Sequence, residues 1–207
     1  MSWEKYIPAD LQKLYVIYDF RHAASILYNE FPDEFNEICN ALRKFRFTKT
    51  DVTTAGGNES QIPKKFSALL RPSWKEMQLK AKLVVDDEQV VSQDTHKIDY
   101  TKGRIALDVE WNSKDQTYDR DLYAFRTFFE YNKISVGVII TRSDELDPWF
   151  ATLGKKEKSG GKVSEIKAKY GASTTHIGKL LPRLQAGRHG GCPILVFGIT
   201  PRLLDER

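Results

Sequence analysis

The sequence predicts an α/β protein in which helices cover a β-sheet, and three consecutive segments carry this prediction. Residues 97–112 (KIDYTKGRIALDVEWN) contain two apolar-rich extended segments joined at 101–103 by a Thr-Lys-Gly turn, as in a β-hairpin. A helix is predicted over 119–132, with Asp119 able to cap it. Residues 133–141 (KISVGVIIT) then form a nearly continuous apolar run, typical of a strand covered on both faces. A hairpin, a helix and a buried strand in this order indicate layered α/β architecture.

The segments before the hairpin fit the same architecture. Residues 11–20 mix β-branched and aromatic side chains, and they predict either a strand or the start of a buried helix. Residues 22–28 are predicted to be helical. A longer helix is predicted over 32–45, where Pro32 suits the first turn and apolar residues keep helical spacing. A short helix is predicted over 62–70.

Two polar segments are predicted to be connections. Residues 49–60 surround a Gly-Gly pair but lack the Gly-Lys-Ser/Thr ending of a nucleotide-binding P-loop, so a connector is expected there. Residues 79–91 hold two apolar pieces with an acidic triplet at 86–88 between them. This triplet predicts a solvated turn.

The C-terminal third contrasts a flexible segment with two regular ones. Residues 154–171 are rich in lysine and glycine and poor in apolar residues, which predicts a flexible basic loop. The Ser-Thr-Thr cluster at 173–175 predicts a helix cap, followed by an amphipathic helix that Pro182 kinks or restricts. Residues 193–200 predict another buried strand.

The whole chain has the length and composition of one soluble domain over residues 1–207. Its 207 residues are 41% apolar and 29% charged, ordinary values for a globular protein. Cys39 and Cys192 lie far apart and form no spaced pair with another Cys or His, so we expect reduced core thiols rather than a zinc site. The N-terminus lacks the apolar core of a signal peptide, and no run reaches membrane-spanning length, so we expect a cytoplasmic protein without membrane contact.

The charge is unevenly distributed. The net charge is +4, but residues 151–207 hold 11 Lys and Arg against 4 Asp and Glu, so the remaining chain carries −3. A basic C-terminal part beside an acidic centre suits a polyanionic partner that also meets a metal ion. The alternative is a solvated, lysine-rich loop with no partner.

The hairpin at the centre of the chain concentrates carboxylates. Because side chains of a strand alternate, Asp108 and Glu110 project together from the face opposite the apolar side chains, and Asp99 lies across the turn. Three acids on one platform repel each other unless a cation separates them, and hard oxygen ligands favour Mg²⁺. Glu59 could add a carboxylate, whereas His22 has no second His nearby and is read as structural or exposed. Alternating acids also occur simply because the outer face of a hairpin meets water.

Segments in the same order along the chain resemble the BglII/BstYI group of type II restriction endonucleases, within the PD-(D/E)XK nucleases. The core of the resemblance is Asp99, eight intervening residues and then Asp108-Val109-Glu110. The supporting segments are 22–42 (HAASILYNEFPDEFNEICNAL), 66–76 ending in SWKE, 133–141 (KISVGVIIT) and 187–200 (GRHGGCPILVFGIT). The resemblance implies the restriction-endonuclease-like fold, an α/β fold with a central mixed sheet flanked by helices.

The resemblance also implies roles for the acidic residues. Asp99 would be the central metal-binding aspartate and Asp108 the second acid, with the Val109 carbonyl also facing the metal. Glu110 stands where the wider nuclease group usually has lysine, although members of this class carry an acid or a glutamine there. All three acids are therefore candidate catalytic residues, and the identity of the general base stays open.

Further positions are candidates for contact with DNA. Asn112 and Ser113 match the place where enzymes of this group put base-contacting side chains. Lys97 and Lys102 are near enough in sequence to the acids to contact the scissile phosphate, or are merely exposed. A second recognition loop is predicted at Ser173, Thr174, Thr175 and His176.

The expectation from these features is a Mg²⁺-dependent, site-specific endonuclease. It would act as a homodimer on a short palindrome in double-stranded DNA, with a GATC-centred site suggested by the resemblance. A cognate DNA methyltransferase and a prokaryotic cytoplasm follow from the same resemblance. Two alternatives remain: a non-specific or repair-type nuclease of the same superfamily, and a catalytically silent DNA-binding module of the same fold.

Overall fold

The computed structural model describes residues 2–54, 60–85, 89–94, 96–157 and 163–205. The described strands are β1 (Tyr15–Phe20), β2 (Lys75–Met77), β3 (Lys80–Val85), β4 (Gln89–Asp94), β5 (Ile98–Lys102), β6 (Ile105–Glu110), β7 (Val136–Arg142), β8 (Lys155–Glu157), β9 (Val163–Glu165) and β10 (Ile194–Ile199). The described α-helices are α1 (Ala9–Leu14), α2 (Ala23–Glu30), α3 (Pro32–Lys44), α4 (Lys49–Thr53), α5 (Gln61–Leu70), α6 (Thr117–Glu130), α7 (Leu146–Thr152) and α8 (Ile177–Gln185). Short 3-10 helices lie at Trp3–Tyr6, Ile166–Tyr170 and Pro201–Leu203.

Six of these strands form a mixed sheet in the order β1-β10-β7-β6-β5-β2. The central neighbours β10, β7 and β6 run parallel, and the outer pairings are antiparallel. Helices cover both faces, because two separate apolar clusters lie on the two sides of the sheet. The predicted α/β fold with a central mixed sheet flanked by helices is confirmed.

The alternation predicted for β6 is also observed. Ile105, Leu107 and Val109 pack into one cluster with helices α1 to α5 and α7, whereas Ala106 packs into the other cluster with α6 and α8. Every residue of β6 and of β7 is buried. The face that carries the acids is therefore covered by α6 and does not meet water as an outer hairpin face would.

The hairpin between β5 and β6 turns at Gly103 and Arg104, so Thr101 and Lys102 belong to β5 and not to the turn as predicted. Gly103 has a positive φ of +53°. A Cβ at this position would lie 2.7 Å from Oε1 of Glu34 on α3. The positive φ favours glycine here, and a Cβ would in addition displace the end of the Glu34 side chain.

Several helices begin or end differently from the prediction. The ambiguous segment 11–20 holds both alternatives, since α1 ends at Leu14 and β1 begins at Tyr15. The predicted connector at 49–60 begins with α4, where Thr48 and Asp51 form a capping box. The predicted helices near 22–28, 32–45 and 62–70 are confirmed as α2, α3 and α5.

Two predicted helix caps are wrong. α6 begins at Thr117, and Asp119 lies inside its first turn, where its carboxylate accepts a hydrogen bond from Nε of Arg183 at 3.0 Å. α8 begins at Ile177 with His176 at its N-cap, and no side chain of the 173–175 cluster caps it. The Asp119 carboxylate is held by Arg183, and the Thr174 hydroxyl accepts a hydrogen bond from Arg142, so neither side chain serves as a cap.

The segment predicted as a flexible basic loop is structured in its described parts. β8 and β9 pair as an antiparallel ribbon, and the 3-10 helix that follows buries Ile166 and Tyr170. The ring of Tyr170 stacks on Phe150 with centroids 4.2 Å apart. Burial of these two side chains anchors the C-terminal part of the segment against α7.

The remaining predictions concern the thiols, the membrane and two acidic segments. Cys39 and Cys192 are free and buried, as predicted. Among the described residues, no helix has the length and apolarity needed to cross a bilayer. Glu59 and the acidic triplet at 86–88 lie outside the described residues.

Candidate active site

Asp108 and Glu110 lie at the C-terminal half of β6, on the face that α6 covers. Their residues are only 3% and 8% exposed. The parallel register places Asp108 beside Ile139 and Glu110 beside Thr141 of β7. The sequence folds this way because apolar residues occupy the alternate positions of β6 and fill the opposite core. The two carboxylates are consequently fixed on a buried, rigid strand.

Asp99 reaches the same place from β5. Its backbone N–H donates a hydrogen bond to Oδ1 of Asp108 at 2.8 Å. The β5–β6 pairing, in which Tyr100 lies opposite Leu107, brings Asp99 and Asp108 level with one another. The structure thus places Asp99 beside Asp108, and Glu110 follows two residues later on the same face of β6.

The acids perturb each other strongly. Burial is the largest cause that raises the pKa of Asp108 well above its ordinary value, and the charge of Asp99 adds to it. Burial raises the pKa of Glu110 to about 7, while a hydrogen bond from Ser113 acts in the opposite direction. Without a cation, the site therefore holds protons near neutral pH. Strongly perturbed groups of this kind are typical of functional sites.

A fourth acid, Asp121 on α6, belongs to the same cluster and was missed in the sequence. It is only 3% exposed. Burial, followed by the charges of Asp108 and Glu110, raises its pKa well above its ordinary value. A signal was present, since Asp121 lies one turn after Tyr118 and next to Leu122, both on the apolar face of α6. A charged residue on a buried helix face requires a partner or a function.

The donor set suits a hard divalent cation. Among the described residues, none provides a hydrogen bond to Oδ2 of Asp108, Oε2 of Glu110 or Oδ2 of Asp121. Buried carboxylate oxygens without donors are ready ligands for a cation. A metal site built from side chains alone needs at least three acidic, His or Cys side chains close together. The described part of the chain contains no such group. Mg²⁺ does not require this, because it keeps several waters and takes one or two carboxylates with substrate phosphate.

The other predicted residues near the hairpin differ in burial and in their ion-pair partners. The side chain of Val109 is buried in the opposite core, so its carbonyl is the group that stays a predicted ligand. The Lys97 ammonium is exposed and pairs with Glu76 at 2.7 Å. The Lys102 ammonium pairs at 2.5 Å with Glu37 of α3. Phosphate contact by either lysine stays a prediction, and for Lys102 it requires separation from Glu37.

The two segments predicted to read bases lie side by side. The backbone N–H of Asp115 donates to the Ser173 carbonyl at 3.0 Å, and the N–H of Thr175 donates to the Ser113 carbonyl at 2.9 Å. Lys114 and Thr174 form an isolated antiparallel bridge between these bonds. Segments some 60 residues apart thus form one surface immediately after the acidic end of β6.

The individual side chains of this surface are presented differently. Ser113 and Ser173 are exposed, and Asn112 is half-buried. Thr175 is fully buried, so the structure does not present its hydroxyl to a partner. Nδ1 of His176 lies 2.5 Å from Oδ1 of Asp144, which holds the ring at the start of α8.

Arg142, at the end of β7, supports this surface from inside. Its guanidinium is 1% exposed and donates to the Thr175 carbonyl at 2.7 Å, to the Tyr170 carbonyl at 3.2 Å and to the Thr174 hydroxyl at 2.7 Å. It also lies over the rings of Phe150 and Tyr170, with 5.5 and 5.6 Å to their centroids. Arg142 carries no distinguishing signal in the sequence, because an arginine at the end of an apolar strand resembles an exposed terminus.

A cavity of about 470 Å³ opens between the segment after β6 and the first turn of α6. It is lined by Lys114, Gln116, Thr117 and Arg120. Arg120 is close enough to lower the pKa of Glu110, although burial and Ser113 act more strongly on that group. Two cationic side chains next to buried carboxylates suit a phosphate that approaches the acids.

Comparison with known proteins shows the family of the chain. The family model described as Restriction endonuclease BglII/BglIII matches residues 15–199, from the first residue of β1 to the last residue of β10. No curated protein matches the chain. The matched range includes the acids, both polar segments and all six strands of the mixed sheet. The chain belongs to the BglII/BglIII family of restriction endonucleases.

Proposed function

We propose that this protein is a Mg²⁺-dependent type II restriction endonuclease that hydrolyses phosphodiester bonds at a specific palindromic site in double-stranded DNA. The observation that supports the proposal is the position of the acids. Asp108 and Glu110 are buried on β6 and Asp99 is half-buried beside Asp108, directly before a polar surface formed by 112–115 and 173–175. Chemistry and recognition would thus be adjacent on one rigid sheet.

The chain supplies distinct groups for the reaction. Asp99, Asp108 and the Val109 carbonyl would hold Mg²⁺, which when bound makes a water more acidic and neutralises phosphoryl charge. Glu110 would orient or deprotonate the attacking water. Its pKa of about 7 in the cation-free protein is near the working pH of a general base. Lysine, which the wider nuclease group has at this position, could not accept that proton while charged.

The polar and basic residues would bind the DNA. Asn112, Ser113 and Ser173 would contact base edges in the major groove, where each base pair presents a distinct pattern of donors and acceptors. Lys114 and Arg120 line the cavity at the first turn of α6 and would contact phosphates, which fixes position without reading sequence. Lys97, Lys102, Thr174 and His176 remain candidates for further contacts.

The assembly and cellular setting are part of the same proposal. A homodimer would match the two-fold symmetry of a palindrome, with a GATC-centred site as the first to test. A cognate DNA methyltransferase would protect host DNA. The enzyme would act in a prokaryotic cytoplasm, where its two buried thiols would remain reduced.

Cleavage of unmethylated phage DNA tests the proposal. The reactions contain Mg²⁺ or EDTA and compare the unaltered protein with Asp99→Ala and Asp108→Asn. We expect discrete fragments that require Mg²⁺ and vanish in both variants. A metal-dependent smear would instead identify a non-specific nuclease. DNA binding on a gel with no cleavage under any divalent cation would sink the catalytic role and leave a silent binding module.

A further inference from the structure

Two contacts fix how α6 lies on the sheet. The Tyr118 hydroxyl is 2.7 Å from the Thr141 hydroxyl on β7. Further along the helix, Phe125 lies against Gly137, where an added Cβ would be 2.7 Å from the Phe125 ring. From Tyr118 to Phe125 the helix advances about 10.5 Å, and from Thr141 to Gly137 the strand spans about 13 Å. The two lengths are similar, so both contacts fit one alignment of the helix on the strand. α6 therefore runs antiparallel to β7, across the face that bears the acids.

This alignment places Asp121 against Asp108. Asp121 follows Tyr118 by three residues, so it lies on the same helix face, between the two contacts. The strand position between Thr141 and Gly137 on this face is Ile139, and the neighbour of Ile139 on β6 is Asp108. The helix consequently brings a carboxylate to the level of Asp108, from above the sheet.

Asp121 has the properties of a ligand and not those of a structural acid. A structural buried carboxylate is normally satisfied by hydrogen bonds or an ion pair. Asp121 is 3% exposed, and no described residue donates to its Oδ2 atom. The charges of Asp108 and Glu110 act on Asp121 more strongly than the opposite charge of Arg120, so ionising the cluster without a further cation is electrostatically unfavourable. A divalent cation would reverse the sign of these interactions.

We propose that Asp121 binds the divalent cation through a bound water and approaches the ion from the helix side of the site. This inference rests on the proposed function, because it requires that Asp99 and Asp108 hold the same ion. It gives the site a carboxylate that is not on the β5–β6 hairpin. The helix α6 thereby becomes part of the catalytic centre as well as its cover.

Calorimetric titration of the full-length protein with Mn²⁺, without DNA, tests this role. Asp121→Asn preserves shape and removes the charge, Asp108→Asn serves as the reference, and Asp119→Asn is the matched control. Asp119 is on the same helix but faces Arg183 and Arg188. We expect at least tenfold weaker Mn²⁺ binding for Asp121→Asn and for Asp108→Asn, and a change of less than twofold for Asp119→Asn.

Thermal unfolding in EDTA separates a ligand from a structural residue. We expect Asp121→Asn to unfold at the same temperature as the unaltered protein or higher, because an amide of the same shape avoids burying an ionisable carboxyl among acids. Asp121→Ser provides a smaller polar replacement with the same expected loss of Mn²⁺ affinity. If Asp121→Asn binds Mn²⁺ within twofold of the unaltered protein while Asp108→Asn binds tenfold more weakly, the role of Asp121 is refuted and the proposed function stands. If neither variant changes Mn²⁺ binding, the proposed metal site itself fails.

Discussion

Arg142 donates a hydrogen bond from Nε to the carbonyl oxygen of Thr175 at 2.7 Å. This bond joins the end of β7 to the segment that pairs with Ser113, directly after the acidic end of β6. The same guanidinium also bonds Tyr170 and Thr174, so one buried side chain holds the whole turn between the 3-10 helix and α8. The polar surface therefore depends on a residue that cannot itself contact DNA.

Arg142→Lys should weaken both stability and discrimination between DNA sequences. Lysine keeps the charge but cannot reproduce the fork of donors, so buried carbonyls lose partners. We expect the free energy of unfolding to fall by about 2–4 kcal/mol and the ratio of specific to non-specific DNA binding to fall. Denaturant titration and competition binding measure the two effects. Arg126→Lys is the control, because Arg126 forms an exposed ion pair with Glu130. Its free energy of unfolding should change by no more than about 0.5 kcal/mol. An equal loss in both variants would contradict the role of Arg142.

The metal-free protein should lose stability as the pH rises from about 4.5 to 7. Burial raises the pKa of Glu110 to about 7, so the folded state binds more protons than the unfolded state across this interval. The free energy of unfolding should then fall with pH, by up to about 1.4 kcal/mol per pH unit for one such group. Asp108 and Asp121, whose pKa values are also raised, act with the same sign.

Denaturant unfolding in EDTA at several pH values measures this slope. Glu110→Gln should flatten it, because glutamine does not titrate. The pKa of Asp51 lies below its ordinary value, so its stabilising effect is lost only at more acidic pH. Asp51 therefore does not contribute to the slope in this pH interval. Equal slopes for the variant and the unaltered protein would show that Glu110 does not retain its proton in the folded state.

Lys114 and Arg120 should bind DNA through its phosphates. Replacing either with Ala should weaken binding to all sequences by a similar factor and reduce the slope of log K against log salt by about one. Fluorescence anisotropy measures DNA binding at salt concentrations from about 50 to 200 mM and gives this slope. Arg43→Ala is the control, because Arg43 pairs with Asp10 on the opposite side of the sheet. A loss confined to one DNA sequence would instead assign Lys114 or Arg120 to base contact.

Gly103→Ala should destabilise the protein by more than Gly154→Ala. Both glycines have positive φ, +53° and +75°, so each alanine carries a conformational cost of about 1 kcal/mol. At Gly103 the new Cβ would also lie 2.7 Å from Oε1 of Glu34, whereas nothing lies within 4 Å at Gly154. Chemical denaturation of both variants measures the difference. Equal losses would show that Glu34 moves aside without cost.

The sequence predicted those features that depend on local periodicity. The alternation of β6 separated Asp108 and Glu110 from the apolar face, and the apolar run at 133–141 identified β7. The capping box of α4 was also readable as Thr48 followed by Asp51, although the surrounding polar residues favoured a connector. In each case the relevant signal lies within one or two turns of chain.

Features that depend on packing between distant segments could not be predicted. The periodicity of β6 does not reveal that α6 covers its polar face, so a hydrated face was an equally good interpretation. Asp121 joined the cluster only because α6 crosses back over β7 in one particular alignment. Likewise, nothing in the Ser-Thr-Thr cluster indicates that its partners are Arg142 and Ser113 instead of the first turn of α8.

The joint between the two polar segments is made by main-chain atoms. Asp115 bonds the Ser173 carbonyl, and Thr175 bonds the Ser113 carbonyl, through groups that every residue except proline possesses. The exposed side chains of Lys114 and Ser173 contribute nothing to these bonds. Mutations at these two positions can therefore accumulate without disturbing the frame that holds them. Under the proposed function, the side chain of Ser173 can therefore change its base contacts while the main-chain frame and the acids of β6 stay in place.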